Sequence, residues 1–215
     1  MTKFYKMIQA IIFDLGGVLY DIDYQRTIKA FGRLGLSEPD RHFSQMRQSQ
    51  VFDLYEVGKI SSHNFIKEIE SMLPNQVSYQ EIEAAWNDIL IGISQETIDF
   101  LNKIKPQIPT FLLSNTNALH IDSVNERLIR DFGVESLHPF FKKVYFSYEV
   151  GLRKPDKAVF QKVLNDQNLK PESTLFIDDS PQHIASANEL GFQTYLFKPK
   201  VDNLKLIVDG VLKAN

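Results

Sequence analysis

Apolar residues gather in five short runs, and each run stops at or beside a polar residue. Ile8 to Phe13 is apolar except at Gln9, ends at Asp14, and has Gly16-Gly17 behind it as breakers. Thr110 to Leu113 ends in Ser114-Asn115, and Val144 to Phe146 ends in Ser147. Thr174 to Ile177 ends in Asp178-Asp179, and Thr194 to Phe197 ends next to Lys198. Short, near-continuous apolar runs belong to strands covered on both faces, as in a parallel sheet. Helical spacing lies between most of the runs. Strands alternating with helices predict an α/β protein with a Rossmann-like, doubly wound parallel sheet.

The stretch from Tyr20 to Ile93 has a different rhythm. It offers no buried strand, and its apolar residues fall at helical spacing. One helix is predicted from Tyr24 to Leu34. Ser61-Ser62 can cap a second helix that carries Phe65, Ile66, Ile69 and Met72. Ser78-Tyr79-Gln80-Glu81 is a capping box ahead of Ile82, Ala85, Trp86, Ile89 and Leu90. Trp86 is expected in the core of this segment. The chain therefore divides into a sheet domain of residues 1–19 and 94–215 and an inserted α-helical cap of residues 20–93. No repeat, low-complexity tract or flexible linker interrupts this plan.

Composition narrows the classes of function. A chain of 215 residues fits one domain or a core with one insertion, and 43% hydrophobic with 24% charged residues is ordinary for a globular protein. The formal net charge is -3 and the basic residues are scattered, which argues against a nucleic-acid partner. The absence of cysteine excludes disulfides and thiolate metal sites and fits a reducing compartment. Lys3 and Lys6 precede the apolar stretch from Met7 to Phe13, which is too short for a signal peptide or a membrane span. The expected location is cytoplasmic, with no membrane partner. Nothing in the pattern speaks to oligomeric state.

The chemistry sits where the apolar runs stop. Asp14, Ser114 and Asp178-Asp179 follow strands at what should be their carboxyl ends, and open α/β sheets bind ligands in the crevice at those ends. Clustered carboxylates repel unless a cation or proton lies between them. Without cysteine or clustered histidine the ligands are oxygens, which suits a hard cation such as Mg²⁺ that also takes a phosphate oxygen. Ser114 can donate its hydroxyl to a phosphate. The backbone N–H groups of Asn115 and Thr116 and the start of the following helix add further anion-binding groups. Lys154 can place a point charge on phosphoryl oxygens.

Four segments carry a resemblance. Phe13-Asp14-Leu15-Gly16-Gly17-Val18-Leu19, Leu113-Ser114-Asn115-Thr116-Asn117, Gly151-Leu152-Arg153-Lys154-Pro155-Asp156 and Phe176-Ile177-Asp178-Asp179-Ser180 resemble, in order and spacing, the four motifs of the haloacid dehalogenase superfamily. The helical insertion after the first motif is similar to the C1-type cap of its subfamily I. The resemblance implies a hydrolase of phosphomonoesters in which Asp14 is the nucleophile and forms an aspartyl-phosphate. It implies that Ser114, with Asn115 beside it, binds the phosphoryl group, and that Lys154 binds the same group and neutralises transition-state charge. It also implies Mg²⁺ held by Asp14, the carbonyl of Gly16 and Asp178, with Asp179 in or next to the outer shell.

One position departs from the pattern. Phosphatases of this superfamily usually carry a second Asp two residues after the nucleophile as general acid and base, and here that position is Gly16. Three readings follow. Another carboxylate such as Asp21 or Asp23 substitutes, though both also read as solvated or capping residues, or the leaving group needs little protonation. Otherwise the chain is not a phosphatase, but a metal-independent 2-haloacid dehalogenase-like hydrolase or a non-catalytic relative. The pair Asp178-Asp179 favours a metal. A narrower resemblance joins Phe13 to Asp23, Leu113 to Asn117 and Gly151 to Pro155 to the bacterial glucose-1-phosphatase type of sugar-1-phosphate phosphatase. In the same comparison Tyr55 to Ser61 resembles a substrate-specificity loop. This implies a small phosphorylated metabolite, such as a sugar phosphate, as the substrate. Ser180 and Pro181 read as the cap and first position of a helix, and His183 as a surface or packing residue on it.

Overall fold

The computed structural model of the chain describes residues 7–39, 43–44, 47–48 and 50–214. The basic stretch Met1–Lys6, weighed above as a leader, lies outside the described residues, as do six positions between 40 and 49. Strands β1 (Ala10–Phe13), β2 (Thr110–Ser114), β3 (Lys143–Phe146), β4 (Thr174–Asp178) and β5 (Gln193–Leu196) form one parallel sheet in the order β3-β2-β1-β4-β5. Phe13, the last residue of β1, pairs with Leu112 on one side and Ile177 on the other, so β2 runs two residues and β4 one residue beyond the end of β1. The chain winds outward from β1 to β3 and then returns to the opposite side for β4 and β5. That reversal opens a crevice at the carboxyl ends of β1, β2 and β4, where such sheets bind ligands.

Between β1 and β2 run α1 (Tyr24–Arg33), α2 (Gln50–Glu56), α3 (Ser62–Ser71), α4 (Tyr79–Asn87) and α5 (Gln95–Ile104). Later come α6 (Ala118–Phe132), α7 (Lys157–Gln167), α8 (Pro181–Glu189) and α9 (Leu204–Ala214). Alternation along the strands sends Ile11, Phe13, Leu112, Val144, Leu175 and Ile177 into one buried layer with Leu101, Val124 and Val208 of α5, α6 and α9. The intervening residues Ile12, Phe111, Leu113, Tyr145 and Phe176 enter a second layer with Phe160 and Val163 of α7 and Ala187 of α8. The inner strands β1, β2 and β4 are buried at every position because both of their faces are covered. Among the described residues no helix is long and apolar enough to cross a membrane.

Helices α1 to α4 hold a separate apolar cluster of Phe31, Phe52, Tyr55, Phe65, Ile69, Ile82 and Trp86. Phe52 stacks on Trp86 at 5.4 Å between ring centroids and Tyr55 on Phe65 at 4.2 Å. Leu119, in the first turn of α6, joins this cluster, so the helical insertion is seated on the sheet domain beside the crevice. The expected caps are present. Ser61 accepts from the Asn64 N–H, and Ser78 and Glu81 complete a reciprocal capping box. Ser78→Ala is therefore expected to cost about 1 kcal/mol, read as a lower urea midpoint with an unchanged m-value.

Two expectations for this segment need correction. Helix α4 ends at Asn87, so Ile89 and Leu90 are not helical; Leu90–Gly92 is a strand paired antiparallel with Asp21–Ile22. A second ribbon pairs Phe43–Ser44 with Arg47–Gln48. Strands of two or three residues contain no full period of alternation, which leaves the pattern nothing to register. The first ribbon ties the two chain crossings between insertion and core, and Leu90 points into the core layer.

Candidate active site

Asp14 is the first residue after β1 and its N–H donates to the Ile177 carbonyl, which locks it against the end of β4. Asp178 is the last residue of β4. Lys154 reaches both from the loop after the short helix Ser147–Val150. Its Nζ lies 2.8 Å from Asp14 Oδ1 and 2.7 Å from Asp178 Oδ2. Lys154 and Asp178 are 0% exposed and Asp14 is 7% exposed. Oδ1 of Asp14 also accepts from the Leu15 N–H at 2.7 Å. The second carboxylate oxygen, Oδ2, makes neither bond.

Several neighbours fix these three groups. Oδ1 of Asp178 accepts from the Ser180 N–H at 2.8 Å, and His183 Nδ1 lies 3.0 Å from the same oxygen. Ser180 makes no side-chain cap, so Asp178 serves the start of α8 in its place, while Pro181 takes the first helical position as expected. Asn115 clamps the lysine. Its Nδ2 donates to the Lys154 carbonyl at 2.8 Å and its Oδ1 accepts from the Lys154 N–H at 2.9 Å. The Thr116 N–H donates to Ser147 Oγ at 2.9 Å. It is thus satisfied inside the protein and does not join the anion-binding groups, contrary to the expectation from sequence. Asn117 caps α6 by accepting from the His120 N–H, and the same oxygen accepts from Trp86 Nε1 across the gap to the helical insertion.

The electrostatics follow from burial and crowding. Burial works against the charge on Lys154, but Asp14 and Asp178 more than offset it and hold the ammonium above its ordinary value. Burial also opposes charge on Asp178, yet Lys154 and then His183 hold it well below the carboxylate range. Asp14 is raised instead, by burial first and then by Asp178 and Asp179, against the pull of Lys154. Asp179 is pushed up to about 6 by burial and then by Asp178. Three carboxylates thus share one lysine.

Position 17 must be glycine for this packing. Gly17 has φ +76, and an added Cβ would come 2.3 Å from Asp179 Oδ2.

Two cavities meet at this cluster. One, of about 90 Å³, is lined by Asp14, Gly16, Asn115, Arg153, Asp179 and His183 among others. The other, of about 100 Å³, lies between core and insertion, with Ser114, Trp86, His120, Phe52 and Thr27 in its walls. Gly16, Ile22, Tyr24, Glu56 and Asn115 line both. Asp21 and Asp23 line neither, and Asp23 spends its carboxylate on the Gln25 N–H at 2.9 Å as the cap of α1.

Asp14, Asp178 and His183 each present a ligand atom within 4.8 Å of the others, a group that Asp179 does not join. His183 was read from sequence as a surface or packing residue, and it is instead buried against Asp178. Arg153, Glu56 and Tyr24 were not singled out at all. The guanidinium of Arg153 pairs with Asp53 and lies 3.2 Å from Glu56 Oε2, both on α2. Arg153 lies within the third motif and Glu56 within the loop from Tyr55 to Ser61, whereas Tyr24 had no signal beyond opening the first predicted helix.

Comparison with known proteins gives the family. The family of haloacid dehalogenase-like hydrolases matches residues 8–191. D-ribitol-5-phosphate phosphatase of Bacteroides thetaiotaomicron is 31% identical over 189 residues, 88% of this chain and 91% of that protein. A crystal structure of a haloacid dehalogenase family enzyme from the same organism, in complex with magnesium and inorganic phosphate, is 32% identical and covers 93% of this chain and 98% of its own, with a TM-score of 0.82. L-2-haloacid dehalogenase from Xanthobacter autotrophicus is 18% identical, covers 87% of this chain and 76% of its own, and has a TM-score of 0.54, a likeness of fold alone. The chain belongs to the haloacid dehalogenase-like hydrolase family, as a hydrolase on its phosphatase side.

Proposed function

We propose that this hydrolase is a Mg²⁺-dependent phosphatase of a small phosphorylated polyol or sugar, acting through an aspartyl-phosphate on Asp14. The observation that carries the reading is the fully buried Lys154, which bridges Asp178 and Asp14, with Asp14 itself in the wall of a small polar cavity. A pure binding protein has no need to hold a carboxylate nucleophile there. The relatives support the substrate class through the polyol phosphate named for the Bacteroides enzyme.

The residues present fit the metal. Asp14, Asp178 and the Gly16 carbonyl are hard oxygen donors, with Asp179 in or next to the outer shell, and three carboxylates against one lysine leave negative charge for a divalent cation to balance. When bound, Mg²⁺ supplies positive charge shared by the nucleophile and a phosphoryl oxygen. His183 orients Asp178 and is not assigned as a ligand.

The chain's own groups account for the first displacement. Asp14 attacks phosphorus in line with the leaving oxygen. Lys154 and the Ser114 hydroxyl stabilise charge on the phosphoryl oxygens, and Asn115 holds Lys154 in register by its backbone. Residues 20–93 act as the cap on the core formed by residues 1–19 and 94–215. They close the second cavity over the leaving group and exclude water.

A panel of small sugar and polyol phosphates, with an L-2-haloacid beside them, tests the reading. Phosphate release that requires Mg²⁺ and is fastest on short polyol or sugar esters is the expected result. Metal-independent halide release, or no phosphate release with any ester, would overturn it.

A further inference from the structure

The alcohol that leaves the phosphoryl group needs a proton, and position 16 cannot give one. The space beside Gly16 is already taken, since an added Cβ there would meet Ile22 Cδ1 at 3.1 Å. Asp21 and Asp23 face elsewhere. Asp179 lines the cavity that holds Asp14 but not the cavity between core and cap. Among the described residues, Glu56 is the one carboxylate in the wall of both.

We propose that Glu56, the last residue of α2 in the cap, is the general acid and base of this enzyme in place of the missing second aspartate. The proposal rests on the reading of Asp14 as a phosphatase nucleophile. Glu56 is 9% exposed and is held from the core side by Arg153. Arg153 lines the cavity that holds Asp14 too, so a phosphoryl group bound there meets the guanidinium beside Glu56. The phenol of Tyr24 lies in the same wall. Burial first, then Glu56, then Asp179, Asp14 and Asp178 raise its pKa and keep it a hydroxyl.

The steps balance. In the first, the Asp14 carboxylate forms a bond to phosphorus, the bond from phosphorus to the leaving oxygen breaks, and the Glu56 carboxylic acid passes its proton to that oxygen. In the second, the Glu56 carboxylate takes a proton from water as the water oxygen bonds to phosphorus. The bond to Asp14 then breaks, and inorganic phosphate, Asp14 carboxylate and Glu56 acid are restored. The net reaction is ester plus water to alcohol plus phosphate. An acid carried by the cap is in place only while the cap is seated, which couples proton transfer to closure over substrate.

The test is Glu56→Gln in the full-length protein with Mg²⁺, using p-nitrophenyl phosphate and glycerol 1-phosphate in steady-state and rapid-mixing assays. Nitrophenolate leaves without a proton, so the variant should release one equivalent per enzyme in a burst near the wild-type rate. Slow turnover should follow, about 10²–10⁴-fold below wild type, because the second step has lost its base. With glycerol 1-phosphate the burst itself should be lost, and Glu56→Asp should restore part of the turnover. Equal loss of the first turnover on both esters would reassign Glu56 to cap docking. A rise in KM alone would make it a ligand for the leaving group, and unchanged kinetics would remove it from the site; each of these overturns the proposal. A wild-type protein that hydrolyses neither ester would sink the phosphatase reading itself, an outcome separate from any effect of position 56.

Discussion

Asp14→Asn is expected to lower turnover of an aryl phosphate by about 10⁵-fold or more, the scale seen when a covalent nucleophile is removed, while the protein stays folded and no less stable. The two halves have one cause. Asp14 sits almost wholly buried beside Asp178, with Asp179 near enough to add to the repulsion. Its folded pKa is raised above the unfolded value, so at neutral pH and without divalent cation the ionised group works against the fold. Asparagine keeps the shape, leaves Lys154 its bond to Asp178, and removes the penalty. Melting in chelator should therefore show a midpoint equal to or above wild type. Added Mg²⁺ should stabilise the variant less than wild type, because one of the ligands has lost its charge. A variant that melts well below wild type in chelator would mean that the Asp14–Lys154 pair is a net structural asset, against the crowding argument. A variant that keeps turnover within tenfold would end the assignment of Asp14 as nucleophile.

The reach of the sequence can be judged from the same residues. The five core strands were legible because a sheet covered on both faces leaves short, near-continuous apolar runs, and because β1, β2 and β4 stop at or beside the polar residues Asp14, Ser114 and Asp178. Asp14, Ser114 and Asp178 were found that way. The caps at Ser61 and Ser78 were legible because donor and acceptor lie three residues apart. What escaped was long-range. Asn115 clamps Lys154 from 39 residues away, and Arg153 pairs with Asp53 across 100. No local spacing records either pair. His183 lies only five residues beyond Asp178, but at that distance a ligand-facing and a solvent-facing histidine share one helical phase until the helix is docked. Thr116 shows the opposite error. Its N–H was read as available because it opens a loop before a helix, and Ser147 on the next strand's end had already satisfied it. The insertion was legible as a helical segment, whereas the place of Glu56 in the walls of both cavities was visible only once they could be traced.

Lys154→Met should have the largest effect on stability of any single change in the site, about 3–5 kcal/mol, because it leaves two buried carboxylates without their cation. For a chain of this length that corresponds to a melting point lower by about 10 °C or more. Methionine fills nearly the same volume, and Phe176, whose ring centroid lies 5.6 Å from the ammonium, accepts an apolar neighbour, so packing contributes little to the loss. The pH dependence identifies the cause. In the wild type Lys154 is the leading favourable charge on Asp178, holding its pKa below the unfolded value, and that stability is present at neutral pH and lost only in strong acid. Without Lys154, burial opposes the charge on Asp178 with His183 left as its main counterweight, and the folded pKa rises. The penalty is then greatest at neutral pH and shrinks as pH falls and a proton enters the site. The gap in urea stability between variant and wild type should therefore narrow from pH 7.5 to pH 5.5. Mg²⁺ should narrow it as well, stabilising the variant more than the wild type, although turnover on an aryl ester stays down by about 10³-fold for want of the charge on the phosphoryl oxygens. A gap that is constant across pH and metal would assign the loss to packing and remove the ion pair from the account of what holds this site together.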